Sequence, residues 1–573
     1  MSARTAFVFY SQKGEWPENL TVRNDGEKGE RVRPVRFVLH PPYGEASADG
    51  CAELRRCGAP GELLSLAVGI RADRAVSEVS LEASPLSGPN GSWPDGSIDV
   101  NVVKVWPQAG IGVYQTAPIN VPELLVKDDR IEMADGYTPW CGHWRHAARR
   151  APYYRAPEVR LHGAACTSLA AHEQKQIWVT VRIPDACPDG TYTGILEATT
   201  GNSSDELPIT IDVLPLRLAE AKQDVMLWFK GSLDCRRNQH FLRVDLFEAQ
   251  LRDIYDHGFR TISLNESDRD LLRQALSIAR SVGFHRVVLS EPFVDEIDPA
   301  DFAPMMPVYY LSDELDARGP ETINHHIANR REARRRESPT MISLLNHSSA
   351  RRFEAHGDIG HSPDIFAFYL PRNRGIFAGS SRANVPGSIY YYWLAHMEKP
   401  LVHRLLSGCY LWKSGADGIS PYCYQHLPLY PNSPFNDFDE WEPAEPSASG
   451  RFRDHMVTYP ARHGVMPTVQ WKGMSDGITD LRYLRTIDGL IADASRSSRS
   501  ELRQQAAIAR ENVDRFLDRI SLSEINVDSD SDPMPYSDLP AEAFQAFRDE
   551  MARGAAQLQQ QLALCNEEER SLQ

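Results

Sequence analysis

The segment YYLSDEL places Asp313 and Glu314 side by side directly after an apolar run. Two carboxylates this close cannot both ionise freely, so one tends to keep its proton while the other stays an anion. One acid and one anion is the division of labour that cleavage of a glycosidic bond requires. Most Asp-Glu pairs are solvated surface residues or helix N-terminal charges; what sets this pair apart is its place just past a predicted strand. The ends of other apolar runs carry Trp228 and Lys230, Asn265 and Glu266, Glu291, Asn346 and His347, Tyr369, Tyr391 to Trp393 with Tyr392 between them, and Tyr422 with Tyr424. Sugar rings lay their C–H faces on aromatic planes and bond their hydroxyls to amides and carboxylates, so this inventory suits a saccharide pocket. Side chains alternate along a strand, so about half of these aromatics are expected to fill a core instead.

Other constellations point elsewhere. His325 and His326 lie in ETINHHIANRREARRRE, where adjacent helical residues face apart, which argues against a metal site. His143 and His146, with Cys141 nearby in CGHWRH, read as structural or exposed loop residues. The basic run from Arg330 to Glu337 reads as a solvated helix face. Neither a Gly-x-Ser-x-Gly elbow nor a phosphate-binding glycine loop is present. The nine cysteines are scattered without a Cys-x-x-Cys, so isolated thiols are expected rather than a disulfide framework or a zinc site.

The elements that must position the acid pair follow from the apolar rhythm. From about residue 216 strands alternate with amphipathic helices, the pattern that builds parallel barrels. Eight strands are predicted: Val225 to Phe229, Thr261 to Leu264, Arg286 to Ser290, Val308 to Leu311, Met341 to Leu345, Ile365 to Tyr369, Ile389 to Trp393 and Gly418 to Tyr424. Helical runs between them stop at Gly258 and Gly283, residues suited to a left-handed cap. In a barrel, reactive side chains gather at the C-terminal strand ends, where Asp313 and Glu314 fall. Before residue 216 short strands separated by Pro, Gly and Asn-rich turns predict a β-sandwich. A long insertion is expected near residues 107–165, centred on the Trp, His and Arg-rich stretch from Asp128 to Arg155. After residue 476 the chain turns helical, with NVDSDSDPMPYSDLP as an exposed acidic loop. The reading is thus multidomain: a β-sandwich over 1–216, a (β/α)8 barrel over 217–490, and helices over 491–573 packed on the barrel.

Whole-chain numbers limit the partners. Over 573 residues, 62 Lys and Arg stand against 78 Asp and Glu, a net charge of -16. That balance repels nucleic-acid phosphates and anionic membranes. The opening apolar run AFVFY is too short for a signal-peptide core, and no stretch reaches the length of a membrane span, so a cytoplasmic protein is expected. The oligomeric state is not legible.

Four segments in this order give the chain a resemblance to glycoside hydrolase family 123. They are IWVTVRIPDACPDGTYTGIL, the Asp313-Glu314 pair, LWKSGADGISPYCY with Trp412, Lys413 and Asp417, and TYPARHG followed by TVQWKGMSDGITDLRYL with Tyr459, Asp476, Gly477, Asp480 and Tyr483. The sequence departs from the family at Leu315, where proline is usual, and at Tyr422, Gln425, Gln470, Lys472 and Ser475, changed groups expected beside the pocket. The resemblance implies a β-sandwich plus barrel that hydrolyses terminal β-linked N-acetylgalactosamine. It also implies substrate assistance, in which the 2-acetamido oxygen attacks the anomeric carbon. Asp313 would orient the acetamido group, Glu314 would serve as acid and then base, and Tyr392 would bond the acetamido carbonyl. Trp412 joins the substrate-binding set on the same ground, and neither metal nor organic cofactor is implied. The alternatives are a glycosidase acting on a non-acetamido glycoside and a carbohydrate-binding protein without turnover.

Overall fold

The structure, a computed structural model, describes residues 34–572 except 90, 110–117, 132–136, 139–152, 155, 202, 267, 290–296, 318–337, 347, 350–362, 374, 379–384, 386, 396–399, 428–434, 436–454 and 524–538. Eight parallel strands close into a barrel in sequence order. They are β1 (Asp224–Leu227), β2 (Thr261–Leu264), β3 (Arg286–Leu289), β4 (Met306–Ser312), β5 (Thr340–Leu344), β6 (Ile365–Tyr369), β7 (Ser388–Tyr392) and β8 (Gly418–Ile419). Each overlaps a predicted strand. β8 is much shorter than the predicted Gly418 to Tyr424: beyond Ile419 only isolated bonds continue along its neighbours, from the amides of Ser420 and Tyr422 to the carbonyls of Tyr391 and Trp393.

Period-two alternation sorts the barrel's side chains into two cores. Met226, Val288, Val308, Met341, Ile365, Ala367, Tyr369, Tyr390 and Tyr392 fill the lumen, with Trp228 and Tyr310 against them. Their neighbours in sequence, such as Leu227, Leu289, Ile342, Phe368 and Tyr391, face the helices. At the base of the lumen Asp224 accepts hydrogen bonds from Arg286 and Tyr390, both at 2.7 Å, which neutralises a polar layer far from the strands' C-terminal ends.

The first helices show why their glycines were legible. Helix α1 (Val244–Asp256) ends just before Gly258, which has φ 98°. Helix α2 (Arg269–Val282) starts on Asp268, whose carboxylate accepts from the amides of Asp270 and Leu271, and stops on Gly283 at φ 112°. Helices α3 (Pro400–Ser407) and α4 (Cys409–Ser414) precede β8, and α5 (Val469–Ser495), α6 (Ser500–Asp518) and α7 (Ala541–Leu572) follow it. Lys413 on α4 donates to the carbonyls of Leu517 and Ile520 at the end of α6, both at 2.8 Å. Of the predicted acidic loop, residues 526–538 lie outside the described residues.

Two sheets precede the barrel. One runs in the order Val35–Val38, Leu63–Ala72, Gln174–Arg182, Ile98–Ala109, Pro118–Val126, all antiparallel. The other contains Ala165–Leu169, Val76–Ala83, Gly190–Thr200, Ser203–Val213 and Leu54–Gly58, the last pair parallel. Their facing sides share one core of residues such as Leu66, Val68, Ile177, Leu196 and Ile209. The strand Pro118–Val126 belongs to the first sheet although it falls inside the expected insertion. Residues 139–152 of that insertion, with Cys141, His143 and His146, lie outside the described residues. The first sheet's other face is buried too, where Ala67, Val103, Leu125 and Trp178 pack on Val469 of α5. Burial on both faces explains continuous apolar runs such as LLSLAVGI.

Eight cysteines among the described residues are free thiols. No helix among the described residues is long and apolar enough to cross a membrane.

Candidate active site

Asp313 and Glu314 stand directly after β4, on the rim at the C-terminal ends of the strands. Register shifts between Tyr310 and Ser312 where β4 pairs with β5, which bends the chain as it leaves the sheet. Glu314 then takes φ 44°, in the left-handed region that a side chain bearing a Cβ rarely adopts. The turn is held from three sides. Glu314's amide donates to Ser343 Oγ at 2.7 Å, its carbonyl accepts from Ala317 at 2.8 Å, and the Asp316 carboxylate receives the amides of Leu345 and Asn346 at 2.8 and 2.9 Å. The end of β4 is therefore tied to the end of β5.

The two carboxylates meet different partners. Asp313 Oδ1 accepts from Tyr310 Oη at 2.8 Å and from Ser343 Oγ at 3.0 Å, and these two hydroxyls are 2.7 Å apart. Glu314 Oε1 accepts from Tyr392 Oη at 3.0 Å. Burial, and then the negative charge of Asp313, pushes the Tyr310 phenol far above its usual range; burial and Glu314 do the same to Tyr392. Both tyrosines therefore stay protonated donors at neutral pH. One acid thus sits on a Tyr-Ser clamp rooted in β4 and β5, while the other reaches to β7.

Aromatic rings pack on the two tyrosines that hold the pair. Trp228, just past β1, crosses the lumen to meet Tyr310 edge to face at 4.7 Å, and Tyr369 packs on Tyr392 at 5.3 Å. Asn265 donates to the Phe229 carbonyl at 3.0 Å, and Asn346 lies exposed against Asp316. Lys230 stands 5.2 Å over the Tyr422 ring on the β1–β8 side of the mouth. Glu266, fully buried, accepts from Ser232 and from the Leu233 amide, holding the loop that carries Lys230. Glu291 and His347, like His325, His326 and the run 330–337, lie outside the described residues.

Two expected substrate contacts are placed elsewhere. Tyr424 is fully buried outside the lumen, donating to Asp253 of α1 at 2.8 Å and packing on Trp471 of α5. The chain has left β8 by then, so the strand alternation that would have aimed this ring inward no longer applies. Trp412 sits on α4, which leads into the start of β8, and packs on the core of the helical layer. Tyr391 and Trp393 face the same core. Tyr392 does face the lumen, but its hydroxyl meets Glu314, where the family resemblance implied a bond to substrate. Of the family departures, Gln470 bonds Glu123 of the sandwich and Lys472 bonds His257 of α1, so neither stands beside the pair.

Sequence reasoning missed Tyr310, Ser343 and Asp316. The only signal for Ser343 was alternation along MISLL, where Met341 faces the lumen and Ser343 shares its side. Among the described residues no group of three or more His, Cys, Asp or Glu is placed to hold a metal ion.

Fold and site together define a class: a parallel (β/α)8 barrel bearing adjacent carboxylates past its fourth strand, with a β-sandwich docked on its helical layer. No family model and no curated protein matches the sequence. Among solved structures, the fold is similar to that of a family 123 glycoside hydrolase from Clostridium perfringens, studied for glycolipid glycan hydrolysis. The TM-score is 0.60 at 10% identity, over 93% of this chain and 100% of that one. β-Glucuronidase 3 of Bacteroides uniformis matches loosely, with a TM-score of 0.30 at 9% identity over 78% of this chain and 52% of its own. The β-glucuronidase of Parabacteroides merdae does likewise, with a TM-score of 0.30 at 10% identity over 77% and 52%.

Proposed function

We propose that the chain is a retaining exo-glycosidase of the family 123 type, acting on a terminal β-linked 2-acetamido sugar such as N-acetylgalactosamine. The observation that carries this reading is the unequal setting of two adjacent carboxylates, Asp313 on the Tyr310-Ser343 clamp and Glu314 on Tyr392. In this reading the acetamido oxygen attacks the anomeric carbon as the bond to the leaving oxygen breaks, forming an oxazolinium ring. Asp313 orients the acetamido N–H and stabilises the charge that develops on it. Glu314 gives its proton to the leaving oxygen, then takes one from the water that opens the ring, so configuration is retained. Trp228 and Tyr369 offer aromatic faces to the sugar, and Lys230, Asn265, Asn346 and Tyr422 supply the rim. Catalysis belongs to residues 217–490, with 1–216 as the sandwich and 491–573 as the helical segment.

Leaving-group dependence tests the roles. Glu314→Gln is expected to lose about 10²–10⁴-fold in turnover on aryl glycosides with poor leaving groups and much less on activated ones. Equal losses on both would remove the acid role. Asp313→Asn is expected to collapse activity on acetamido substrates specifically. Inhibition by a thiazoline mimic of the cyclised intermediate reads the mechanism directly. Resistance would move the reading to a non-acetamido glycoside, and binding without turnover would move it to a carbohydrate-binding protein.

A further inference from the structure

The loop leaving β1, residues 230–243, carries Lys230, Arg236, Arg237 and Arg243 against a single acid, Asp234, in a chain of net charge -16. Arg236 is paired with Asp234 at 2.7 Å and Arg243 with Asp245 at 2.9 Å. Lys230 is different. It is half-buried, and no carboxylate among the described residues lies within ion-pair distance of its ammonium, which instead stands 5.2 Å over the Tyr422 ring.

Among the described residues, the rings packed around it carry no negative charge. Tyr422 packs against His426 and His455 at 5.8 and 5.9 Å, and His426 stacks between His240 and His455 at 6.3 and 6.1 Å. Burial first, and then the neighbouring Lys230 charge, holds His426 at about 4. Burial first, and then His426, Lys230 and Arg237, hold His240 at about 3. Both imidazoles are therefore neutral at pH 7, and the positive charge acting on this corner is that of Lys230 and Arg237. An ammonium partly withdrawn from water calls for a counter-ion, and a ring face replaces one only in part.

The corner adjoins the acid pair. Lys230 lies two residues beyond Trp228, whose ring packs on Tyr310, and Tyr310 holds Asp313. The Trp228 amide donates to the Pro421 carbonyl at 3.4 Å, and the Tyr424 amide donates to the Trp228 carbonyl at 3.0 Å. Lys230 and Tyr422 are thereby fixed together on the rim.

We propose that the β1–β8 corner of the mouth, built on Lys230 and Tyr422, is a subsite for an anionic substituent, a carboxylate or a sulfate, on the glycan being cut. This rests on the glycosidase reading and names the substrate class of the same mouth. The test measures kcat/KM for aryl N-acetyl-β-hexosaminides with and without a 6-sulfate, and for the matching aryl 2-acetamido-β-uronide, which separates sulfate from carboxylate. At least one anionic substrate is expected to be favoured tenfold or more over its neutral counterpart. Lys230→Met, which keeps most of the stem over Tyr422, should bring that ratio near one, and Lys230→Arg should keep most of it. A ratio near one in the unaltered protein, or one that Lys230→Met leaves standing, overturns the subsite. Calorimetric titration of Glu314→Gln with N-acetylgalactosamine, its 6-sulfate and N-acetylgalactosaminuronic acid reads the corner without turnover. Tighter binding of an anionic sugar that disappears when Lys230→Met is added supports the subsite even if no glycoside is hydrolysed, whereas equal or absent binding counts against it.

Discussion

Ser343 links both acids through one hydroxyl, accepting from the Glu314 amide at 2.7 Å and lying 3.0 Å from Asp313 Oδ1. Removing that oxygen leaves the half-buried Glu314 amide without this acceptor in a turn that already holds a left-handed residue, and it frees Asp313 to rotate about its clamp. Such misplacement acts on reaction geometry before it acts on the fold. Ser343→Ala is expected to lower kcat by about 10–100-fold, equivalent to about 1.4–2.8 kcal/mol of barrel-mouth positioning. The check is steady-state kinetics beside a thermal melt: KM should move little and the melt only slightly, and a melt lowered in step with activity would make Ser343 merely structural. At this scale the acid pair was legible because two carboxylates after an apolar run are conspicuous. Tyr310 and Ser343 were not, because VYYLS and MISLL look like any strand until barrel closure decides which face turns inward. Tyr424 misled for the same reason, since its direction depends on where the chain leaves β8.

Helix α5 shows what the element scale adds. A Cβ on Gly477 would stand 2.2 Å from the Arg404 carbonyl oxygen, and one on Gly473 would stand 2.2 Å from that of Pro400. Both oxygens belong to the backbone of α3, so the two glycines let α5 cross it at close range and let the bidentate bond from Arg404 to Asp480 form at 2.7 and 2.9 Å. Gly477→Ala is expected to destabilise the protein by about 1–3 kcal/mol, because the helices must part. Gly489→Ala on the same helix meets nothing within 4 Å and should be neutral or stabilising by up to about 1 kcal/mol. Chemical denaturation of both variants separates crossing distance from helix propensity, and equal shifts would refute the close-approach argument. These glycines also explain the elements that sequence hid. WKGMSDG breaks the helical pattern early in α5, so the helix was expected only after residue 476. The strands Val35–Val38, Leu54–Gly58 and Ala165–Leu169 are four or five residues long, and LRRCG and ACTSL offer little apolar alternation. The eight barrel strands were legible because each is a run rich in apolar residues placed in a βα rhythm.

At the scale of the whole molecule, polar bonds cross between modules where apolar contact alone would let them slide. Glu62 of the sandwich, 1% exposed, accepts from Tyr483 of α5 at 2.7 Å and pairs with Arg548 of α7. Asp476 of α5 accepts from Tyr43 at 2.7 Å and Ser65 at 3.0 Å, both in the N-terminal part of the chain. Of the residues that carried much of the family resemblance, Asp476, Tyr483 and Tyr459 bond across this joint to Tyr43, Glu62 and Glu123, while Asp480 pairs with Arg404 of α3. Buried ion pairs contribute little net attraction, yet breaking one by removing a single partner leaves a charge stranded away from water. Arg548→Met is therefore expected to cost about 3–5 kcal/mol, and adding Glu62→Gln should return much of it, since the amide still accepts from Tyr483 without carrying charge. If the joint couples the modules, tryptophan fluorescence and residual hydrolysis will follow one denaturation curve in the unaltered protein and shift together in Arg548→Met. Two separated curves, or a double variant no better than the single one, would mean that the sandwich and barrel stand independently and that Glu62 is not the charge left stranded.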